Sequence, residues 1–263
     1  MAPFITHLVV GERVFAQWPR LDPAVYGEFL LGCVLVDVHA FGPIERRATH
    51  FAERLQGDGP FAFDKSCANF MGQLDSLLVR PWRKLTPAEQ AFVAGYLCHL
   101  AADQEWKGFD WYLLHSLGVF WWGNLSPPGV KLMPAPAGVV LTVFEVLSAE
   151  LYVDLPAVKS ALSDVSVPNV LTHIPHGTLQ AMWDVAKAHA LDGSTLESFL
   201  NMLERMGLDS AEVQAARLEH EKYWDDAVET IHNCFGGVPQ RVGAMVQQSL
   251  VNMPLLRQLD QQG

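Results

Sequence analysis

The chain has 263 residues and a formal net charge of −11; half of its residues are hydrophobic and 18% are charged. This length fits one large domain or two small ones, and the apolar content excludes a disordered chain. The negative balance excludes nucleic-acid binding driven by overall charge, so nucleic acid is not favoured as a partner. The four cysteines are widely spaced and lack a Cys-x-x-Cys pair, which indicates reduced thiols.

Helix start signals predict that most of the amino-terminal half is helical, whereas alternating strand patterns are weak. The first helix is predicted over Ile5 to Gln17. A second begins at Asp22-Pro23 and runs through Leu30 towards Asp37. Thr86-Pro87-Ala88-Glu89 has the pattern of a capping box with proline at the first helical position, so a third helix is predicted to follow it.

The longest apolar stretch, residues 134–153, contains Glu145 and Glu150. A membrane-spanning helix needs about 20 residues with few or no charges, so we interpret this stretch as a buried core helix. The amino terminus has no basic segment, and Glu12 and Arg13 interrupt its apolar run. We therefore expect a cytoplasmic protein without a transmembrane segment.

The carboxyl-terminal half carries further helix signals. Helices are predicted from Thr195, over Asp209 to Asn233, and from Pro239. Pro156 and Pro168 frame a polar stretch that favours a soft boundary there. The expected fold class is all-α, with roughly eight to eleven helices in a single multi-helix domain.

His99 and Asp103 form the sharpest functional pattern. Residues four apart lie on one face of a helix, one turn from each other. The surrounding helix is apolar, and a buried histidine and aspartate are costly unless they are paired or bind a metal. The pair is therefore either a plain hydrogen bond or part of a cation site.

Three more residues supply the same kind of ligand. Asp37 ends an apolar helix, His50 lies in a Thr-His-Phe segment, and His7 lies in the first helix. Each alone has an ordinary interpretation, as a helix-ending, loop or core residue. Together with His99 and Asp103 they provide neutral imidazoles and carboxylates, the ligand set suited to zinc and other divalent metals.

The order and context of these residues resemble the bacterial zinc-dependent phospholipase C family, relatives of the S1/P1 nucleases. The resemblance covers about the first 110 residues and is carried by four segments: Thr6-His7-Leu8, Asp37, Thr49-His50-Phe51, and Gly95-Tyr-Leu-Cys-His-Leu-Ala-Ala-Asp-Gln-Glu-Trp106. It implies an all-α, phospholipase C/P1 nuclease-like fold. It also implies a metal cluster, usually of three zinc ions, that cleaves phosphodiester bonds.

The resemblance implies a role for each matched residue. Asp37, His50, His99 and Asp103 surround one metal, and His7 and Asp103 bind a neighbouring one, with Asp103 bridging. A free amino terminus completes that neighbouring site in the secreted enzymes. Removal of Met1 would make Ala2 the terminal amine here.

The sequence also departs from the family pattern. Lys107 stands where a further histidine is expected, and Asp110 and His115 are candidates near it. The later helix that should supply a histidine and an acid has only carboxylates, of which Glu150 and Asp154 share a face. The expected cofactor is therefore zinc, one to three ions, or another divalent metal.

Two functions remain open. The first is a metal-dependent phosphodiester hydrolase acting on a phosphodiester or phospholipid, in which Asp37 orients or deprotonates a metal-bound water. The second is a non-catalytic helical protein that keeps a structural or vestigial metal and serves protein–protein contacts. In either case residues 1–155 form a metal-site helical core and residues 156–263 are helices packed on it.

Other histidines have ordinary interpretations. His39 lies two residues after Asp37 and is either a packing residue or a ligand. His173 and His176 flank Pro175, and no nearby cysteine or acid completes a ligand set for them.

Overall fold

A computed structural model describes residues 4–18, 22–41, 44–51, 53–54, 61–62, 65–116, 155–192 and 237–251, and the single positions 204, 210, 211 and 214. Side chains in the long helix that ends at Ser116 are described as far as Glu105. The described part is mostly helical, which confirms the all-α expectation for these ranges. No helix in them is both long and apolar enough to cross a membrane.

The described ranges contain eight α-helices, a two-residue strand pair and three short 3-10 helices. The α-helices are α1 Phe4–Ala16, α2 Tyr26–Leu35, α3 Arg46–His50, α4 Ser66–Leu77, α5 Pro87–Ser116, α6 Leu155–Ser163, α7 His176–Asp192 and α8 Val238–Val251. The antiparallel strands are β1 Glu53–Arg54 and β2 Phe61–Ala62. The 3-10 helices are Pro23–Val25, Val36–Phe41 and Trp82–Lys84.

The helix starts follow the predicted capping residues. Asp22 accepts the backbone N–H of Ala24 at 2.9 Å, which caps the short helix before α2. The Thr86 hydroxyl accepts the N–H of Glu89 at 3.3 Å, and the Glu89 carboxylate accepts the N–H of Thr86 at 2.8 Å. This reciprocal pair is the predicted capping box, and α5 follows it.

One predicted boundary differs from the structure. The helix expected to run from Asp22 towards Asp37 is divided, because α2 ends at Leu35 and the chain tightens into the 3-10 helix Val36–Phe41. Asp37 therefore lies in the first turn of that 3-10 helix. The predicted start at Pro239 is confirmed within one residue, since α8 begins at Val238.

The core centres on the packing of α2 against α5. A Cβ placed on Gly32 would lie 2.1 Å from the carbonyl oxygen of Phe92, and one on Gly95 would lie 2.0 Å from that of Phe29. Only glycine allows the two backbones to approach this closely. The α1 helix packs on α2 and α5, α8 packs on α1 and α5, and α6 packs on α2.

Some predictions lie outside the described residues. These are the apolar stretch 134–153, the acids Glu150 and Asp154, and, apart from the single positions 204, 210, 211 and 214, the helices from Thr195 and over Asp209 to Asn233. The division at residues 155 and 156 stays a prediction, although α6 and α8 both contact the amino-terminal helices.

Candidate metal centre

A buried polar cluster lies where α1, α3, α5 and the 3-10 helix Val36–Phe41 meet. It brings together the five residues predicted as metal ligands, which are His7, Asp37, His50, His99 and Asp103. All five are at most 6% exposed. Isolated buried charges are expensive, so such a cluster requires compensating partners.

The α5 helix contributes His99 and Asp103 one turn apart, with 3.9 Å between Nε2 and Oδ2. His99 Nδ1 lies 2.7 Å from the carbonyl oxygen of Cys33 on α2. A carbonyl only accepts hydrogen bonds, so this contact places the proton on Nδ1. The lone pair of Nε2 is then directed into the cluster, as in a metal-binding histidine held by an outer hydrogen bond.

His50 ends α3 and is held in a similar way. Its Nδ1 lies 3.2 Å from the carbonyl oxygen of Arg46 and 2.9 Å from the Thr49 hydroxyl. The tautomer that donates to the Arg46 carbonyl directs the Nε2 lone pair towards His99. In both histidines, therefore, Nδ1 contacts a backbone carbonyl and Nε2 faces the cluster.

The chain around His50 is fixed by its neighbours. Phe51 adopts a left-handed conformation with a φ of 53°, which is uncommon for a bulky residue. Its carbonyl oxygen accepts a hydrogen bond from the Asn69 side chain at 3.0 Å, and the Tyr96 hydroxyl donates to the carbonyl of Thr49. These contacts from α4 and α5 hold the end of α3 against the cluster.

The ligand atoms converge at distances that suit a cation. His50 Nε2 lies 3.4 Å from His99 Nε2, 3.2 Å from Asp37 Oδ1 and 3.4 Å from Asp103 Oδ2. His99 Nε2 lies 3.9 Å from each of the same two carboxylate oxygens. Tetrahedral zinc with bonds of about 2.0–2.2 Å separates its ligand atoms by roughly 3.3–3.6 Å. The buried histidines and aspartates could therefore hold a metal ion.

His7 occupies the other side of the two carboxylates. Its ring stacks on His99 with 3.6 Å between centroids. Its Nε2 lies 3.7 Å from Asp37 Oδ2 and 3.6 Å from Asp103 Oδ1, the oxygens turned away from His50. Neither His7 ring nitrogen has a hydrogen-bond partner among the described residues. His7, Asp37 and His99 thus form a second group of convergent ligand atoms.

Burial and neighbouring charges set the protonation of the cluster. Burial alone raises the pKa of Asp37, but His99 and His50 outweigh it and hold this pKa well below its ordinary value. The pKa of Asp103 is lowered in the same sense, since His7 and His99 outweigh its burial. Burial lowers the pKa of His50 and, more strongly, of His99. Ionised carboxylates and neutral imidazoles are the forms that bind metals.

Two residues of the cluster carry little signal in the sequence. His39 contacts Asp37 with 3.9 Å between Nδ1 and Oδ1, and it joins Asp37 and His50 in a third convergent group. Burial lowers the pKa of His39 to about 4. Arg46 contacts Asp103 with 3.4 Å between Nη2 and Oδ2. Arg46 lies one helical turn before His50, and that spacing is the available sequence signal.

The other candidates lie elsewhere or outside the described part. His173 packs against Phe51, and His176 Nε2 lies 2.8 Å from the carbonyl of Val167. Neither joins a convergent group of ligands among the described residues. Several further candidates fall on side chains or residues outside the described part, namely Met1, Ala2, Lys107, Asp110, His115, Glu150 and Asp154.

Comparisons with known proteins add no relative. No protein-family model, curated protein or solved structure matches the chain. A functional proposal therefore rests on the cluster together with the sequence resemblance described above.

Proposed function

We propose that the protein is a metal-dependent phosphodiester hydrolase of the phospholipase C type, with zinc as its metal. One observation carries the proposal: the Nε2 atoms of His50 and His99 face each other at 3.4 Å within reach of two buried carboxylates. Two lone pairs at this distance repel unless a proton or a cation lies between them. The resemblance to the zinc-dependent phospholipases C selects the reaction and the all-α fold of that family.

The residues present fit a divalent metal. Asp37, His50, His99 and Asp103 would hold one ion, and His7 and Asp103 would hold another. When bound, such an ion lowers the pKa of a bound water and polarises a phosphoryl oxygen.

The chain's own groups supply orientation and a proton acceptor. The carbonyls of Cys33 and Arg46 orient the two imidazoles. Asp37, ionised at neutral pH, accepts the proton of the attacking water. The water oxygen bonds to phosphorus, the ester P–O bond breaks, and the proton passes to the departing alkoxide. The products are a phosphomonoester and an alcohol.

Hydrolysis of bis-p-nitrophenyl phosphate by the zinc-loaded chain tests this function. We expect release of p-nitrophenol from the wild type. His99→Ala should lower zinc affinity and turnover by about 100-fold or more, because it removes a side chain that would bind the metal directly. His176→Ala is the matched control, since His176 lies outside the cluster, and it should retain both properties. Unchanged zinc content and turnover in His99→Ala would exclude the proposed site.

Burial favours one alternative, a structural metal in a non-catalytic helical protein that serves protein–protein contacts. The five ligands are at most 6% exposed, and structural zinc sites are closed whereas catalytic sites keep an open position. This alternative predicts that zinc binds and stabilises the chain but that the phosphodiester is not hydrolysed.

A further inference from the structure

Arg46 connects the buried cluster with the surface. Its backbone carbonyl lies behind His50, and its guanidinium Nη2 lies 3.4 Å from Asp103 Oδ2. The Asp103 side chain is 2% exposed, whereas the Arg46 side chain is 24% exposed. The Arg46 side chain therefore contacts a buried carboxylate and is itself partly exposed, which places it at the edge of the candidate metal centre.

The charge of this group depends on the metal. Imidazoles that bind a metal are neutral, so among the five candidate ligands and Arg46 the charged side chains are those of Asp37, Asp103 and Arg46. Two carboxylates and one guanidinium leave one net negative charge. A single divalent cation changes this to one net positive charge. The same residues therefore disfavour an anion without metal and attract one with metal.

We propose that Arg46 binds a phosphoryl oxygen of the substrate beside the metal, so that the site selects an anionic phosphodiester over an uncharged phosphotriester. This inference rests on the proposed function and assigns a substrate-binding residue to its site. A cation bound to Asp103 neutralises the carboxylate that Arg46 faces, which weakens that ion pair and allows the guanidinium to bind another anion. The forked donors of a guanidinium match two oxygens of a phosphoryl group.

Arg47 provides the matched comparison. It is the next residue on α3 and has the same side chain, but it forms an ion pair with Glu45 at the surface and is 53% exposed. If overall positive charge alone attracted the anion, the two arginines would contribute alike. If the position beside Asp103 determines anion binding, only Arg46 contributes to the affinity for the anion.

The test measures binding of inorganic phosphate to the full-length chain by isothermal titration calorimetry, with and without zinc. The variants are Arg46→Gln, Arg46→Lys and Arg47→Gln, and zinc content per chain is measured for each. We expect phosphate to bind the zinc-loaded wild type and to bind the metal-free chain at least about tenfold more weakly. Arg46→Gln should weaken phosphate binding to the zinc form about tenfold or more, and Arg46→Lys should weaken it less. Arg47→Gln should stay within about twofold of the wild type.

Each outcome decides the proposal. Wild-type phosphate affinity in Arg46→Gln would overturn it, as would an equal loss in Arg47→Gln. Loss of zinc from both Arg46 variants would also overturn it, because Arg46 would then support the metal rather than the anion. Arg46-dependent phosphate binding without hydrolysis of bis-p-nitrophenyl phosphate would refute the proposed activity and leave the anion site standing. Where hydrolysis occurs, diethyl p-nitrophenyl phosphate, an uncharged triester, should react more slowly, and Arg46→Gln should reduce that preference.

Discussion

The α2–α5 crossing and the polar cluster beside it are built from neighbouring residues with opposite physical properties. At the crossing, Gly32 and Gly95 allow the backbones of two apolar helices to come into contact. One turn further along α5, His99 begins a group of buried polar ligands. Packing stabilises the first region, whereas the second costs free energy unless a cation binds. The comparison indicates that a tightly packed crossing holds an unfavourable ligand arrangement in place.

Removing the close approach should have the largest effect. In Gly95→Ala the new Cβ would lie 2.0 Å from the Phe29 carbonyl oxygen, and a backbone atom cannot move aside as a flexible side chain can. We expect a loss of about 3 kcal/mol or more in the free energy of unfolding, at the upper end for overpacked cores. Urea denaturation measures it.

Gly72→Ala is the control for that substitution. Gly72 lies within α4, and a Cβ there would meet nothing within 4 Å. Alanine should stabilise this helix by about 0.5–1 kcal/mol, because glycine loses more backbone entropy. Destabilisation of the two variants by similar amounts would contradict the special role of the crossing.

Zinc binding should offset the free-energy cost of burying the polar cluster. At a free zinc concentration 100 times the Kd, the free energy of unfolding should rise by about 2.7 kcal/mol, provided that the unfolded chain does not bind the metal. His99→Ala should show little of this gain, and His176→Ala should show all of it. Thermal unfolding with a zinc buffer and with a chelator measures the difference. Equal stabilisation of wild type and His99→Ala would place the metal elsewhere.

Acid should weaken the metal-free chain by a smaller amount. Burial lowers the pKa of His39 to about 4 and also lowers the pKa of His50 and His99. Between about pH 6.5 and 4 the unfolded chain therefore binds protons that the folded chain does not. The free energy of unfolding therefore decreases as the pH is lowered through this range. The carboxylates, whose pKa values are lowered in the folded state, add a further loss only below about pH 4.

His39→Gln isolates one part of that pH dependence. A pKa lowered from 6.5 to about 4 costs about 1.4 kcal/mol at pH 5.5, and the variant should avoid that cost. Urea denaturation of the metal-free chain at pH 7.5 and 5.5 measures the change. An identical pH dependence in the variant and the wild type would show that His39 is not buried as a neutral ring.

Local chemistry made part of this structure predictable. The capping box at Thr86 and Glu89 and the cap at Asp22 are short-range hydrogen-bond patterns, and the structure contains both. Helical spacing indicates His99 and Asp103, whereas residue type and the resemblance to the phospholipase C family indicate His7, Asp37 and His50. The structure brings all five together. Whether they bind a metal stays a prediction.

Long-range packing explains what the sequence did not reveal. The 3-10 helix that holds Asp37 contacts α3 and α7, which follow it in the chain, and no local sequence pattern indicates it. The sequence around Arg46 indicates only a charged surface residue, and its contact with Asp103 is apparent only in the folded structure. His39 likewise gains its low pKa from tertiary burial rather than from its neighbours in sequence.

If a metal binds the cluster, the left-handed turn at Phe51 has a consequence for the rate at which that metal exchanges. His50 reaches the cluster only while Asn69 and Tyr96 hold the chain on either side of that turn. Release of a bound metal to a chelator would require His50, which is fully buried, to leave the cluster. The rate of metal release should then follow the opening of α3, and it should become independent of chelator concentration once the chelator is in excess.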